Sequence, residues 1–237
     1  MSLQLLRLKS YPIYKQLLLE EMLLRCDTGN WCIINEGSTP AIVMGISGKK
    51  EELVDCPRAA QDGIVLIKRF SGGGTVIVDE NTLFMTFICQ KQLHDFPAYP
   101  EPIMKWTEGI YRDVFQHPEF CLRENDYVFG ARKCGGNAQY ITKDRWLHHT
   151  SFLWDYSVEN MKYLLHPKKT PSYRVGRPHS EFLCRMSDFY PEKEVLITKF
   201  VQEMKKRFPL RKTTLEEALM HNKKGVRQST SAVSLDQ

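Results

Sequence analysis

No run of apolar residues in this chain approaches the roughly 18 that a membrane-spanning helix needs, so no membrane span is expected. No Cys-x-x-Cys pair is present either. The cysteines (Cys26, Cys32, Cys56, Cys89, Cys121, Cys134 and Cys184) are odd in number and scattered, which argues against a disulfide framework or structural zinc site and for a reducing compartment. Met1 to Ser10 has two basic residues, Arg7 and Lys9, but no long apolar core, cleavage site or Arg/Ser-rich character, so a soluble, cytoplasmic protein is the expectation. GxxxxGK[ST] and GxGxxG are both missing, which removes the P-loop and the dinucleotide fold. Internal repeats and low-complexity tracts are absent, and no βαβαβ rhythm points to a doubly wound sheet.

What is present suits one well-packed domain. The 237 residues are 42% hydrophobic and 11% aromatic, and the 26% that are charged mix both signs. A net charge of +5 and a pI near 8.7 are too mild to argue for nucleic acid, but they suit a partner with an acidic face. A monomer is expected.

Residues 3–8 partly alternate and read as a strand, and Pro12 then permits a helix over about 13–25. Short strands follow at 31–35 and 41–44, with one or two short helices within 45–60. Ile64 to Ile67 is a β-branched run entering a triple glycine, and 75–78 with 83–89 reads as a hairpin turned at Asp79-Glu80-Asn81. Ile103, Trp106, Ile110 and Val114 recur with helical spacing. Residues 127–129, 133–142 and 146–155 form an antiparallel meander, 158–165 a short helix, and 167–178 a basic, proline-bearing surface loop. A second long helix is expected over 192–208, and a loosely ordered basic tail (Lys223, Lys224, Arg227) over 221–237. Local antiparallel strand pairs interrupted by long helices predict an α+β fold, a mixed sheet covered by helices on one side.

Two segments carry the chemistry. Ser71-Gly72-Gly73-Gly74 lies between strands, preceded by Lys68 and Arg69. Glycines there let a ligand approach the backbone and expose N–H donors, which suits phosphate, carboxylate or a flat acyl chain; a bulged hairpin turn is the alternative. In the second segment, Gly130-Ala131-Arg132 turns into a strand on which period two places Lys133, Gly135, Asn137 and Gln139 on one face, and Cys134, Gly136, Ala138 and Tyr140 on the other. Strand pairing puts Asp126 within roughly 10 Å of Lys133. A lysine ammonium suits a carboxylate that becomes an acyl phosphate and then an oxyanion; a solvated surface hairpin is the alternative.

One of His148 and His149 must point inward, as a satisfied core histidine or a pocket wall. Cys121, read as lying in a loop, has only Arg123 nearby as a trigger and reads as a resting thiol. Glu20 and Glu21 read as a solvated face, with one of them free to line a pocket.

Arg69-Phe70-Ser71-Gly72-Gly73-Gly74-Thr75-Val76 resembles the RxSGGGxV signature of the biotin/lipoate protein ligase family. Asn125-Asp126, then Lys133-Cys134-Gly135-Gly136-Asn137-Ala138-Gln139, then His148 to Leu153, are similar to its ND, K-x-[SG]-[GS]-[SN]-A and HH-[GT]-[ST]-LL series, and Glu20-Glu21 to its first-helix pair. The resemblance covers about residues 5–190. It implies a class II synthetase-like, mostly antiparallel α+β domain over 1–210, shared with biotin ligases; the accessory C-terminal domain of long ligases is not expected, a departure from their pattern. It also implies ATP, Mg²⁺ and lipoate or octanoate as reactants, and an acidic lipoyl domain or glycine-cleavage H protein as acceptor. By position, Lys133 would hold the substrate carboxylate and the acyl-adenylate carbonyl, and Asp126 the adenylate, Mg²⁺ or incoming lysine. Arg69, Ser71, Gly72, Gly73, Gly74, Val76, Gly135, Asn137 and Ala138 would bind substrate, and His149 and Glu20 would belong to the pocket wall.

The sequence departs from the pattern in two further places. Val78 stands where the family has histidine, and Gly45-Ile46-Ser47-Gly48-Lys49 replaces its G[RK]xQ run. Two alternatives follow: an octanoyltransferase in which Cys121 takes the acyl group from acyl carrier protein without ATP, and a lipoate-binding module without turnover.

Overall fold

The computed structural model describes residues 1–167, 170–222 and 225–235; Lys168, Lys169, Lys223 and Lys224 of the basic loop and tail lie outside the described residues. In chain order the strands are β1 (Leu3–Lys9), β2 (Asn30–Glu36), β3 (Ala41–Met44), β4 (Val65–Lys68), β5 (Val76–Val78) and β6 (Thr82–Gln90). They continue as β7 (Phe120–Arg123), β8 (Asp126–Phe129), β9 (Arg132–Ile141), β10 (Arg145–Leu153), β11 (Leu210–Thr213) and β12 (Ser231–Val233). The long helices are α1 (Ile13–Cys26), α2 (Pro100–Phe115) and α3 (Lys193–Arg207).

Eight strands form the main sheet in the order β11-β1-β2-β6-β10-β9-β8-β7, antiparallel except at β11-β1-β2. Period two sorts its side chains to two faces. Leu3, Leu5, Cys32, Phe87 and Trp146 meet Ile103, Ile110 and Val114 of α2 and Phe200 and Met204 of α3. Leu6, Leu8, Trp31, Ile33, Ile88 and Leu147 meet Leu19, Met22 and Leu23 of α1. The α+β class and the β8-β9-β10 meander are as expected. Helices on one side only are not, because α1 covers the second face together with a four-stranded sheet, β12-β4-β3-β5.

The expected 75–78/83–89 hairpin does not form. A tight turn is present, with Thr82 N–H donating to the Asp79 carbonyl, but β5 pairs with β3 in the small sheet while β6 runs between β2 and β10 in the large one. The reason lies in β6 itself. Thr82 to Cys89 is buried at every position rather than at alternate ones, so this strand needs neighbours on both edges and cover on both faces.

The tail is not loose where it is described. β12 pairs antiparallel with β4, and the N–H groups of Ser229 and Thr230 donate to the two oxygens of Glu21 at 2.8 and 2.9 Å. Burial pushes the Glu21 carboxyl up, but these N–H groups and Arg25 outweigh it and hold the carboxyl below its ordinary range. Glu21 is therefore a buried anchor and not a solvated residue. Glu21→Ala is expected to lower unfolding free energy by about 2–4 kcal/mol, read by chemical denaturation, with amide exchange accelerated at 229–233.

Candidate functional site

A cleft of about 980 Å³ opens between the small sheet and the β8-β9-β10 face of the large one. The glycine segment forms one side. It leaves β4 at Arg69 and is stitched to β9 by Gly72 N–H donating to the Gln139 carbonyl at 3.1 Å. Gly73 has φ +121°, and a Cβ there would stand 2.6 Å from Arg69 Nη2 and 2.8 Å from the Asn137 carbonyl, so only glycine fits. Arg69 is buried beneath the loop and donates from Nη2 to the carbonyls of Gly72 and Gly74 at 3.2 and 2.8 Å and from Nη1 to Val43 at 3.3 Å. Burial pulls its guanidinium down to about 10, against the charge of Glu20, so it stays protonated at neutral pH.

The opposite wall carries Lys133, whose Nζ stands 2.8 Å from Asp126 Oδ1. The other carboxylate oxygen accepts from the Tyr173 hydroxyl at 2.8 Å. Both Asp126 oxygens are thus engaged, and among the described residues no cluster of three His, Cys, Asp or Glu converges. A Mg²⁺ at Asp126 would take one carboxylate from the protein and its remaining oxygens from a nucleotide's phosphates and water.

The strict alternation expected along β9 is broken. Val128 opposes Lys133 while the preceding Tyr127 opposes Gly135, so Cys134 is the extra residue of a β-bulge, with its thiol against the Tyr127 carbonyl in the core. Beyond the bulge the phase reverses. Gly136 and Ala138, not Gly135 and Asn137, share the face of Lys133, and they pair with Ser151 and His149. A Cβ on Gly136 would sit 3.2 Å from Lys133 Nζ, whereas one on Gly135 would strike the Phe152 ring at 2.8 Å. The amides of Asn137 and Gln139 are spent on protein partners. Gln139 Nε2 bonds His148 Nδ1 at 2.9 Å, Thr150 donates to Asn137 Oδ1 at 2.8 Å, and Asn137 Nδ2 donates to the Asn125 carbonyl at 3.1 Å.

Both histidines are buried, on opposite faces. His149 lines the cavity, and its Nδ1 faces Glu20 at 3.0 Å. Glu20, fully buried behind it, also accepts from Gln16 and Thr86, each at 2.7 Å, which fixes the ring. His148 faces Thr107 and Thr150, and burial, then His149, push it down to about 3. Its folded value lies below the unfolded 6.5, so the unfolded chain binds the extra proton. The penalty is absent above pH 6.5 and grows as pH falls toward 3. Wild type is expected to lose about 1.4 kcal/mol more per pH unit across that window than His148→Gln, measured by urea unfolding at stepped pH.

The cavity therefore brings together Lys133, Asp126, Arg69, Gly72, Gly73, Gly74, Val76, Asn137, Ala138 and His149. Ser71, Gly135 and Glu20 do not line it. Nor does Cys121, which lies on β7 instead of in a loop, its thiol pushed up by burial and by Glu108. Sequence reasoning missed Tyr173, Arg174 and His179, which lie in and just after the loop read as solvated. Arg174 is fully enclosed, and Arg174 and His179 line the cavity. No periodicity marks such a loop, although aromatic and basic residues close together were a usable signal.

Among curated proteins, the chain is 27% identical over 260 residues to the inactive lipoate–protein ligase 2 of Plasmodium falciparum, which covers 82% of this chain and 67% of that one. The share of the relative's length that is matched falls to 30% for other curated ligases. Among solved structures, a bi-partite lipoate protein ligase of Thermoplasma acidophilum, from an archaeal lipoylation system with an E2 lipoyl domain, superposes with TM-score 0.77 at 17% identity, covering 94% of this chain and 91% of that one. A lipoate-protein ligase A bound with ATP gives TM-score 0.75 at 18% identity, covering 94% and 93%. At these identities the likenesses show the fold. Residues 12–209 match the lipoyl protein ligase A/B catalytic domain, and the chain belongs to that family.

Proposed function

We propose that this domain activates lipoate, or octanoate, with ATP and passes the acyl group to a lysine of an acidic lipoyl domain or H protein. The observation that carries the reading is Lys133, held by Asp126 on one wall of a cleft whose other wall is the Gly72–Gly74 backbone. In the first step a carboxylate oxygen bonds to the α-phosphorus, the α–β P–O bond breaks, and pyrophosphate leaves with the electron pair. In the second, the neutral amine of an acceptor lysine attacks the acyl carbonyl, the C–O bond to AMP breaks with its electron pair leaving on AMP, and the amine's surplus proton passes to solvent. Lys133 donates to the carboxylate and then to the oxyanion, where a fixed charge in a part-buried site acts without reorganising. Asp126 aims Nζ and is itself aimed by Tyr173. The glycines leave room for the acyl chain and the phosphate, and Ile13, Leu17 and Phe84 supply an apolar wall. A net charge of +5 favours an acidic acceptor. ATP and the E2 lipoyl domain accompany relatives of the same fold.

One alternative has its own support. The Plasmodium relative is named inactive, and Val78 occupies a cavity position where the family's signature has histidine, as a non-catalytic lipoate-binding module would allow. Incubation with ATP, lipoate and a lipoyl domain separates the two. The ligase adds lipoate to the acceptor lysine, seen by intact mass, whereas the module binds lipoate calorimetrically and leaves the acceptor unchanged. The raised Cys121 thiol, outside the cavity, weighs against the thioester route.

A further inference from the structure

Arg174 is 3% exposed, yet among the described residues no carboxylate lies within ion-pair distance of it. Its Nε donates to the Arg177 carbonyl at 2.9 Å, its guanidinium carbon stands 4.9 Å over the Phe182 ring, and among the described residues Nη2 has no partner. Arg177 lies beside it and adds a like charge. His179, held down to about 4 by burial, then Arg174, then His166 and Lys133, shares the same cavity wall as a neutral ring that can donate a hydrogen bond. The nearby carboxylates are committed elsewhere: Glu124 accepts from Ser172 and from the Tyr173 N–H, and Asp126 serves Lys133 and Tyr173. The residue after Arg174 is also strained, since Val175, β-branched, holds φ +49° and ψ +43° while exposed to solvent. A fold that encloses an arginine without a counter-ion, on a cavity wall and behind a strained backbone, keeps a place for an anion.

We infer that Arg174, with His179 beside it, binds the terminal phosphates of a nucleoside triphosphate and holds them as pyrophosphate when they leave. The assignment rests on the ATP-dependent reading given above. It divides the phosphate chain between two sets of groups. The phosphate that becomes the acyl phosphate lies against Lys133 and the glycine backbone, and the departing pair lies against Arg174, whose planar fork suits two oxygens at once. As the α–β bond breaks, negative charge grows on the departing group, and Arg174 faces that charge.

The test uses the full chain and inorganic pyrophosphate, AMP and ATP as probes in titration calorimetry, with thermal unfolding alongside. Arg174→Gln is expected to bind pyrophosphate and ATP at least tenfold more weakly, to bind AMP and lipoate as wild type does, and to melt no lower, because it removes an uncompensated charge. Arg174→Lys should fall between the two, and His179→Ala should weaken pyrophosphate severalfold, which keeps the test open if the glutamine variant misfolds. Equal pyrophosphate affinity in Arg174→Gln, no pyrophosphate binding by wild type, or an equal loss of AMP would each overturn the assignment. A wild-type chain that binds pyrophosphate through Arg174 but never lipoylates an acceptor would leave this site standing and sink the ligase reading alone.

Discussion

Replacing Lys133 by alanine is expected to lower lipoate-dependent exchange of pyrophosphate into ATP by about 10³-fold or more, with lipoate still bound within roughly tenfold of wild type. Among the described residues the ammonium is the one cation ion-paired to the cleft's Asp126, and in the proposed reaction it meets the acyl oxygen that gains charge. Removing a single neutral oxyanion donor already costs about 10²–10³ in rate in enzymes that form such intermediates, and a full charge in a part-buried wall is worth more. Substrate affinity should fall much less, because in the proposed reading the acyl chain rests on the apolar lining residues Ile13, Leu17, Val43, Val78 and Phe84 rather than on the lysine. Asp126, with only 9% of its side chain exposed, would be left with Tyr173 as its partner, so the melting temperature serves as the control. An unchanged exchange rate in a folded Lys133→Ala protein would remove Lys133 from the chemistry.

Gly73→Ala should have the second largest effect, on fold and function together. The new methyl would meet Arg69 Nη2 at 2.6 Å and the Asn137 carbonyl at 2.8 Å, and φ +121° is a backbone region that side chains avoid. The backbone term costs of order 1–3 kcal/mol, and overpacking adds about 1–3 kcal/mol. The loop's position depends on the Arg69 bonds to Gly72 and Gly74, so displacing that guanidinium should also abolish lipoate binding. Gly74→Ala is the informative partner variant. A Cβ there meets nothing within 4 Å, so the chain should stay close to wild-type stability. Denaturation and lipoate calorimetry on the pair separate a steric requirement at one glycine from a general preference for a flexible loop.

The parts that were readable in the sequence are those with a local cause. The helical spacing of Ile103, Ile110 and Val114 survives as the buried stripe of α2. The turn residues after Phe129 and Thr142 do join three antiparallel strands. The glycine segment and Lys133 stand on one cavity because β9 carries the lysine and also bonds Gly72. What the sequence concealed depends on distant partners. The Cys134 bulge arises where β8 and β9 pair, and no single-strand alternation reveals it. The destination of β5 is set by β3, about thirty residues upstream. The tail looked polar enough to be loose because its partner, Glu21, was taken for a solvated glutamate two hundred residues away. Arg174 looked like one more surface cation in a basic loop, and its enclosure follows from packing with Tyr173 and Phe182.

A ligase of this kind must join a carboxylate to AMP in this cleft. The direct measurement is to mix the purified chain with ATP, Mg²⁺ and lipoate, quench in acid, and look for lipoyl-AMP by liquid chromatography and mass spectrometry. The structure leads us to expect one equivalent retained on wild type and none on Lys133→Ala. A wild-type chain that binds lipoate and ATP yet yields no acyl-adenylate would contradict the account.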